Sequence, residues 1–182
     1  GKSTDVVNAS DILRTCSPGM LDKVIAGKQV VFIAPAGQAV DQFTMPDSRM
    51  LCPHFDKLNL APNGCFYKCD WCYLKLTYRA AHPFITIRAQ HDKIKKQLHD
   101  RLAESTSPIM FNSGEMADSL SLEHLTGAMR EFIPWFGRSD NGYLFLLTKS
   151  DNVDDILTLS HNGRSIVAWS MNNDLVSRTY EI

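Results

Sequence analysis

The feature that most constrains the fold is an alternation of strand-like and helix-like segments that begins near residue 58. Short runs rich in branched and aromatic residues, the pattern of buried strands, start near residues 58, 108, 143 and 165. Segments with apolar residues three or four positions apart, the helical period, lie between them. Such alternation favours parallel strands joined by right-handed crossovers. The sequence therefore predicts an α/β fold, a partial (β/α) barrel with four barrel-type strands.

The predicted elements extend beyond the barrel strands. Pro134 lies inside one helical pattern and is expected to end or kink its last turn. The segment 38–57 is polar and irregular, so no element is predicted there. Strands are predicted at 29–33, 58–61, 84–88, 108–112, 143–147 and 165–169, and helices at 90–104, 121–136 and 152–160.

Two parts of the chain are expected from this pattern. Residues 1–57 form an N-terminal lead-in, and residues 58–182 form the barrel core. Four strands are few for a closed barrel, and an open parallel edge favours unwanted pairing. We therefore expect the core to be incomplete at its C-terminal end, or its edge to be covered by something else.

Charge and composition narrow the class of protein without fixing a partner. The 182 residues carry 19 Lys and Arg against 20 Asp and Glu, a net charge of −1, whereas duplex-DNA binders usually have a basic surplus. Nucleic acid is thus neither indicated nor excluded. No apolar run approaches the ~18 residues of a membrane span, and no secretory signal pattern is present. The five cysteines, an odd number, fit a disulfide framework poorly. We expect a cytoplasmic protein without a membrane partner.

Three of the cysteines fall within eight residues. Cys65, Cys69 and Cys72 have the spacing C-x3-C-x2-C. Three thiolates on one loop can bind three irons of a [4Fe–4S] cubane and leave the fourth iron without a protein ligand. Ferredoxins supply four cysteines and close the cluster for electron transfer, but no fourth cysteine follows nearby here. The spacing predicts a cluster with one open iron.

Two other interpretations of these cysteines stay open. A structural zinc site would make the chain a zinc-stabilised binding module, and its fourth ligand would come from His54, His82 or Cys52. An iron–sulfur electron carrier would need a fourth thiolate and no cavity for a second cofactor. Zinc sites usually pair cysteines as C-x2-C, which the first gap in this loop does not match.

The cysteine loop resembles that of the radical S-adenosylmethionine (SAM) superfamily, C-x3-C-x-aromatic-C, with Trp71 in the aromatic position. Within the superfamily the chain resembles the spore photoproduct lyase group over roughly residues 58–182. The residues that carry this narrower resemblance are 64–74, Asp118, 124–126, 148–149, 161–163 and 170–172.

The resemblance implies an enzyme of lyase-like chemistry with two cofactors, a [4Fe–4S] cluster and SAM. Cys65, Cys69 and Cys72 would hold the cluster, and SAM would bind the open iron. An external electron donor of the flavodoxin or ferredoxin type would drive reductive cleavage of SAM to a 5′-deoxyadenosyl radical. This radical abstracts hydrogen from a substrate that the resemblance leaves unidentified.

Polar residues follow the predicted barrel strands, where the carboxyl ends of parallel strands share one rim. The resemblance assigns Glu115 to the SAM ammonium and Lys149 to the SAM carboxylate. Ser170 and Asn172 could hydrogen-bond the ribose or carboxylate. Each residue also has an ordinary interpretation: a solvated loop glutamate, a surface lysine, and the turn chemistry that Ser and Asn favour.

Two aromatic residues complete the predicted site. The resemblance places Trp71 beside the adenine of SAM. Tyr73 is the candidate catalytic residue, because it either lines the adenine site or relays hydrogen. A core tyrosine is the alternative interpretation of Tyr73.

The chain departs from the spore photoproduct lyase pattern at two positions. The family carries a hydrogen-donor cysteine three residues before the aspartate that matches Asp118, and Glu115 stands there in this chain. The family also has tyrosine at the position of Trp71. Thymine-dimer repair depends on the donor, so the sequence predicts SAM cleavage without efficient repair.

Overall fold

The computed structural model describes residues 11, 20–43, 55–63, 65–74 and 83–181. Three residues named above, Cys52, His54 and His82, lie outside this part of the chain, and so does Cys16, the remaining one of the five cysteines. The described elements in chain order are α1 (Met20–Gly27), β1 (Val31–Ala34), β2 (Val40–Gln42), β3 (Asp56–Leu58), β4 (Ile85–Arg88), α2 (His91–Ala103), β5 (Ile109–Asn112), α3 (Glu123–Thr126), α4 (Met129–Gly137), β6 (Gly142–Thr148), β7 (Ser165–Trp169) and α5 (Asp174–Tyr180).

A five-stranded sheet in the order β2-β3-β5-β6-β7 forms the centre of the fold. The strands β3, β5, β6 and β7 are parallel, as predicted for the barrel strands, whereas β2 pairs antiparallel with β3. The strands β1 and β4 form a separate parallel pair. All parallel strands of the main sheet therefore end at one edge, where their following loops meet.

The core lies where α2 and α4 pack against this sheet. Along α2, Ile94, Leu98 and Leu102 recur every four residues and are buried. Phe111 of β5 and Phe136 of α4 are fully buried, with ring centroids 5.6 Å apart. The apolar periodicity of the helices thus supplies the surface that buries the sheet.

The helix predicted over 121–136 is two helices, α3 and α4. Gly127 has φ 55°, a left-handed conformation, and its N–H donates to the Glu123 carbonyl at 2.8 Å. A left-handed residue ends an α-helix, and glycine adopts it without steric cost. Pro134 was expected to end or kink the last turn, and it does not end α4, which continues to Gly137.

Other predicted bounds also differ from the structure. Residues 154–158 form turns rather than the helix predicted over 152–160. The first barrel strand begins at Asp56, two residues before its predicted start. The helices α1 and α5 were not predicted, and β2 lies in the segment 38–57, for which no element was predicted. The helix α5 is capped by Asn173, whose side chain accepts from the Val176 N–H.

The predicted lead-in is joined to the core through both sheets. Its strand β1 pairs with β4, and its strand β2 forms the edge of the main sheet beside β3. The boundary at residues 57 and 58 stays a prediction.

Within the described part of the chain, no helix is long and apolar enough to cross a membrane.

Candidate active site

A cavity of about 210 Å³ lies at the carboxyl ends of the parallel strands. The cysteine loop forms one wall, and the segments after β5, β6 and β7 form the rest. Its lining includes Cys65, Cys69, Trp71, Cys72 and Tyr73 from the loop, and Gly114, Asp118, Lys149 and Ser170 from the strand ends.

Two of the predicted SAM contacts, Glu115 and Asn172, are not among the lining residues. The main-chain carbonyl of Glu115 accepts a hydrogen bond from the Tyr73 hydroxyl at 2.7 Å. The exposed Asn172 donates from its side-chain amide to the Glu181 carboxylate at 2.7 Å. The structure thus brings Lys149 and Ser170 to the cysteine loop, and the cavity lining includes neither Glu115 nor Asn172.

The three thiols differ in their surroundings. Cys69 is buried, while Cys65 and Cys72 are half-buried, and all three are free. Burial raises the pKa of Cys65 to about 11, although the positive charge of Lys28 opposes it. Burial also raises the pKa of Cys69, with Glu181 adding to the effect and Lys149 opposing it. At Cys65 and Cys69 burial therefore favours the protonated thiol until a cation replaces the proton.

The donor set suits an iron–sulfur cluster. Three cysteines of one short loop line one cavity, and thiolates are the usual ligands of such clusters. Among the residues that the structure describes, no three His, Cys, Asp or Glu side chains converge as a site for a single metal ion. His54, His82 and Cys52, the candidate fourth ligands for zinc, lie outside those residues.

Asp118 fixes the strand ends around this cavity. Its buried carboxylate accepts from the Thr148 hydroxyl and from the Lys149 N–H, each at 2.6 Å. It also accepts from the main-chain N–H groups of Leu120 and Ser121. Two of these hydrogen bonds join the loop after β5 to the end of β6 and set where the Lys149 main chain lies, and the other two order the loop itself.

Gly114 allows that loop to approach β6 closely. A Cβ atom at this position would lie 2.5 Å from the carbonyl oxygen of Leu147, a separation that real side chains do not adopt. Only glycine fits without moving the main chain, which explains the residue that precedes Glu115.

Lys149 is held by contacts with Ser170 and Glu181, of which Ser170 lines the cavity and Glu181 does not. Its ammonium donates to the Ser170 carbonyl at 2.7 Å and forms an ion pair with Glu181. Burial alone would raise the pKa of Glu181, but the hydrogen bonds from Lys149, Ser177 and Asn172 outweigh it and lower the pKa. Glu181 could not be predicted as a site residue from the sequence, because it follows a helix rather than a strand.

The helix α5 brings its C-terminal end to the cysteine loop. The Asp70 N–H donates to the Tyr180 carbonyl at 3.0 Å. The rings of Trp71 and Tyr180 lie 5.7 Å apart, and Trp71 still exposes 48% of its surface. A half-exposed indole at the rim of the cavity can stack against a planar ligand.

Comparison with known sequences identifies relatives. A sequence model described as "Spore photoproduct lyase" matches residues 57–182. The spore photoproduct lyase of Bacillus subtilis (strain 168) is 31% identical over 121 residues, which cover 65% of this chain and 34% of that protein. That of Geobacillus sp. (strain Y412MC61) is 30% identical over 119 residues, covering 65% and 35%. The chain spans about a third of the length of these relatives.

Solved structures show the same fold. A spore photoproduct lyase complexed with dinucleoside spore photoproduct superimposes with a TM-score of 0.78 at 24% identity, covering 91% of this chain and 46% of that chain. A mutant of that lyase with bound AdoMet and dinucleoside spore photoproduct gives a TM-score of 0.76 at 24% identity. These likenesses confirm the predicted partial barrel. Because the family model covers more than half of the sequence, the chain belongs to the spore photoproduct lyase family of the radical SAM group.

Proposed function

We propose that this chain is a radical SAM enzyme that binds a [4Fe–4S] cluster through Cys65, Cys69 and Cys72. The observation that carries the proposal is the shared cavity, in which three thiols of one loop face side chains that follow three parallel strands. Family membership supports it. When bound, the cluster and SAM supply reductive radical chemistry, in which SAM yields methionine and a 5′-deoxyadenosyl radical that takes hydrogen from substrate.

The residues of the cavity are suited to bind SAM. Trp71 and Tyr73 present aromatic surface for the adenine, and Ser170 lies beside Lys149 for the ribose or carboxylate. The amino-acid end of SAM carries one ammonium and one carboxylate, so its complement is one acid and one base. Lys149 provides the base.

Two glutamates are candidates to bind the ammonium of SAM. Glu115 is the residue that the sequence predicts, and it follows Gly114 at the end of β5. Glu181 is the alternative that the geometry adds, because it is already paired with Lys149. Such a pair can exchange partners with an incoming ammonium and carboxylate without leaving either charge unpaired. We favour Glu181 for this role and keep Asn172, which donates to Glu181, as its support.

The substrate class follows from the relatives. Their structures contain dinucleoside spore photoproduct, so we propose a nucleic-acid photoproduct or a related nucleotide for this chain. Electrons would come from an external donor of the flavodoxin or ferredoxin type, and a cytoplasmic location belongs to the same proposal. Tyr73, whose hydroxyl contacts the main chain of Glu115, is the proposed catalytic residue.

Anaerobic reconstitution tests the proposal. We expect about four irons and four sulfides per chain, as for one cubane. Cys69→Ala should abolish the cluster, because it removes one of three ligands, whereas Cys16→Ala should retain it. Stoichiometric zinc without sulfide would instead support the zinc-stabilised module. A cluster that never cleaves SAM under strong reductant would support the electron carrier.

A further inference from the structure

One basic residue reaches the cysteine loop from outside the segment that the family model matches. Lys28 follows α1, 29 positions before that segment begins at residue 57. Its ammonium donates to the Cys65 carbonyl at 2.8 Å and also to the Tyr67 carbonyl. A single side chain thus binds two carbonyl groups of the loop that carries the three thiols.

The main chain around Lys28 is held in place. The Lys28 N–H donates to the Val24 carbonyl at 3.2 Å, closing the C-terminal end of α1. A Cβ atom at Gly27 would lie 2.4 Å from the Pro83 carbonyl oxygen, so this end of the helix packs directly on the segment before β4. Two residues later, the Val30 carbonyl accepts from the Ile85 N–H at 3.2 Å. Lys28 is therefore an anchored group rather than a solvated surface lysine.

Lys28 affects the loop through its positive charge in addition to its hydrogen bonds. Its ammonium contacts the main-chain carbonyl of the first cysteine of the loop, so its positive charge lies close to any cluster that the loop binds. A positive charge at this position favours an electron added to a cluster bound by the loop, because the electron places negative charge in the same half-buried region. Charge and nearby hydrogen bonds are among the factors that set the potentials of such clusters.

We propose that Lys28 is a positioning residue of the cluster site, which fixes the main chain of the cysteine loop and raises the reduction potential of the cluster. This inference rests on the proposed function, since it presumes that the loop binds a cluster. The lead-in thereby contributes to a site whose ligands all lie in the barrel core.

The first test uses the full chain without cluster, so it does not depend on cofactor loading. Hydrogen–deuterium exchange of residues 65–72 is compared in wild type, Lys28→Met, Lys28→Arg and the control Lys23→Met, which removes a lysine from α1 itself. We expect Lys28→Met to exchange about tenfold faster in the loop, as for the loss of a hydrogen bond from a charged group. Lys28→Arg, which keeps charge and donors, and Lys23→Met should match wild type. Equal loop exchange in Lys28→Met and wild type would overturn the proposal.

The second test measures the potential of the reconstituted cluster by electron paramagnetic resonance in redox mediators. A unit charge ~10 Å away at an effective permittivity of ~20 changes an equilibrium by roughly tenfold. We expect Lys28→Met to lower the reduced-to-oxidised ratio about tenfold, equivalent to about 59 mV for one electron. Lys28→Arg should restore the wild-type value.

If Lys28→Met does not fold, Lys28→Gln replaces it, since the amide keeps one donor without the charge. A potential that is the same in Lys28→Gln and Lys28→Arg would overturn the proposal. A wild-type chain that binds no cluster would refute the proposed function instead, and the exchange test would still decide the anchoring role.

Discussion

At the scale of single residues, the Lys149–Glu181 pair explains how a small cavity could recognise a zwitterion. Lys149 is held from two sides, by Asp118 at its main chain and by the Ser170 carbonyl at its ammonium. Glu181 accepts from three donors, the side chains of Lys149, Asn172 and Ser177. Both charges are therefore oriented before any ligand arrives, which lowers the entropy lost on binding.

Substitution of this pair should weaken SAM binding. We expect Lys149→Met and Glu181→Gln each to reduce the affinity of the reconstituted protein by ~10- to 150-fold, since each loses a charged contact of roughly 1.5–3 kcal/mol. Isothermal titration calorimetry with SAM measures this change. Glu115→Gln is the matched variant. If Glu115→Gln weakens SAM binding by the same factor and Glu181→Gln leaves it unchanged, the SAM ammonium is assigned to Glu115. Unchanged affinity in Lys149→Met and Glu181→Gln together would place SAM elsewhere.

Some residues of the candidate site could be predicted from the sequence, for a physical reason. The three cysteines form a local pattern, and Lys149 and Ser170 follow strands whose carboxyl ends must share a rim. Glu181 has neither signal, because its position depends on how α5 folds back towards the cysteine loop. Lys28 was missed for the same reason, since its contacts with the loop cross 37 and 39 positions.

At the scale of elements, the junction of α3 and α4 depends on a buried acid. Glu123 exposes only 3% of its surface, and its carboxylate accepts from the Met129 N–H at 3.0 Å at the start of α4. Burial raises the pKa of Glu123 to about 7, against the hydrogen bond from Met129 that lowers it. The folded state therefore prefers the neutral acid near this helix terminus.

A pH dependence of stability follows from this shift. A carboxyl whose pKa rises from 4.5 to about 7 on folding contributes its full stability below pH 4.5 and loses it as the pH rises to about 7. Glu123→Gln keeps an acceptor for Met129 and carries no charge. At pH 8 we expect this variant to be more stable than wild type, by at most about 3 kcal/mol, and at pH 4.5 to be similar.

Urea unfolding at several pH values measures the difference in free energy of unfolding. Glu131→Gln serves as the control, because this half-exposed glutamate pairs with His91 and Lys95 and its pKa is lowered rather than raised. A difference between Glu123→Gln and wild type that does not change with pH would contradict the prediction.

Elements with strong periodicity could be predicted, and those defined by tertiary contacts could not. The helix α2 has three buried residues at four-residue spacing and was placed to within a residue at each end. The strand β2 has only three residues and exists through pairing with β3 and through hydrogen bonds to the Gln97 side chain from the N–H of its first residue and of the residue before it. The break at Gly127 requires a residue in the left-handed conformation. An isolated glycine in an apolar pattern does not by itself predict that conformation.

At the scale of the whole molecule, parallel topology assembles the site from distant segments. The cysteine loop, the loop after β5, the end of β6 and the end of β7 span residues 65–170 and meet in one cavity. The crossover connections bring β3, β5, β6 and β7 back in the same direction, so the carboxyl ends of these four strands reach the same rim. The same topology places residue 115, the position of the family's donor cysteine, next to Tyr73.

The reaction catalysed should depend on what stands at that position. A thiol S–H bond is weak enough to quench a carbon radical on a repaired thymine, whereas a carboxylic O–H bond is far too strong, so Glu115 cannot replace a donor cysteine. We expect the reduced, reconstituted wild type to cleave SAM to 5′-deoxyadenosine with little release of intact thymines from a dinucleotide spore photoproduct. Chromatography of both products measures the ratio.

Restoring the thiol should restore the reaction. Glu115→Cys places a donor beside the Tyr73 hydroxyl, which contacts the main chain of this residue at 2.7 Å, and we expect thymine release per SAM cleaved to rise at least tenfold. Glu115→Ala is the control, because it removes the carboxylate without adding a thiol and should leave release low. Efficient release by wild type would refute the prediction, and Cys52→Ser and Tyr73→Phe would then show which side chain returns the hydrogen. If the thiol at position 115 returns its hydrogen through Tyr73, adding Tyr73→Phe to Glu115→Cys should abolish thymine release although the thiol is retained.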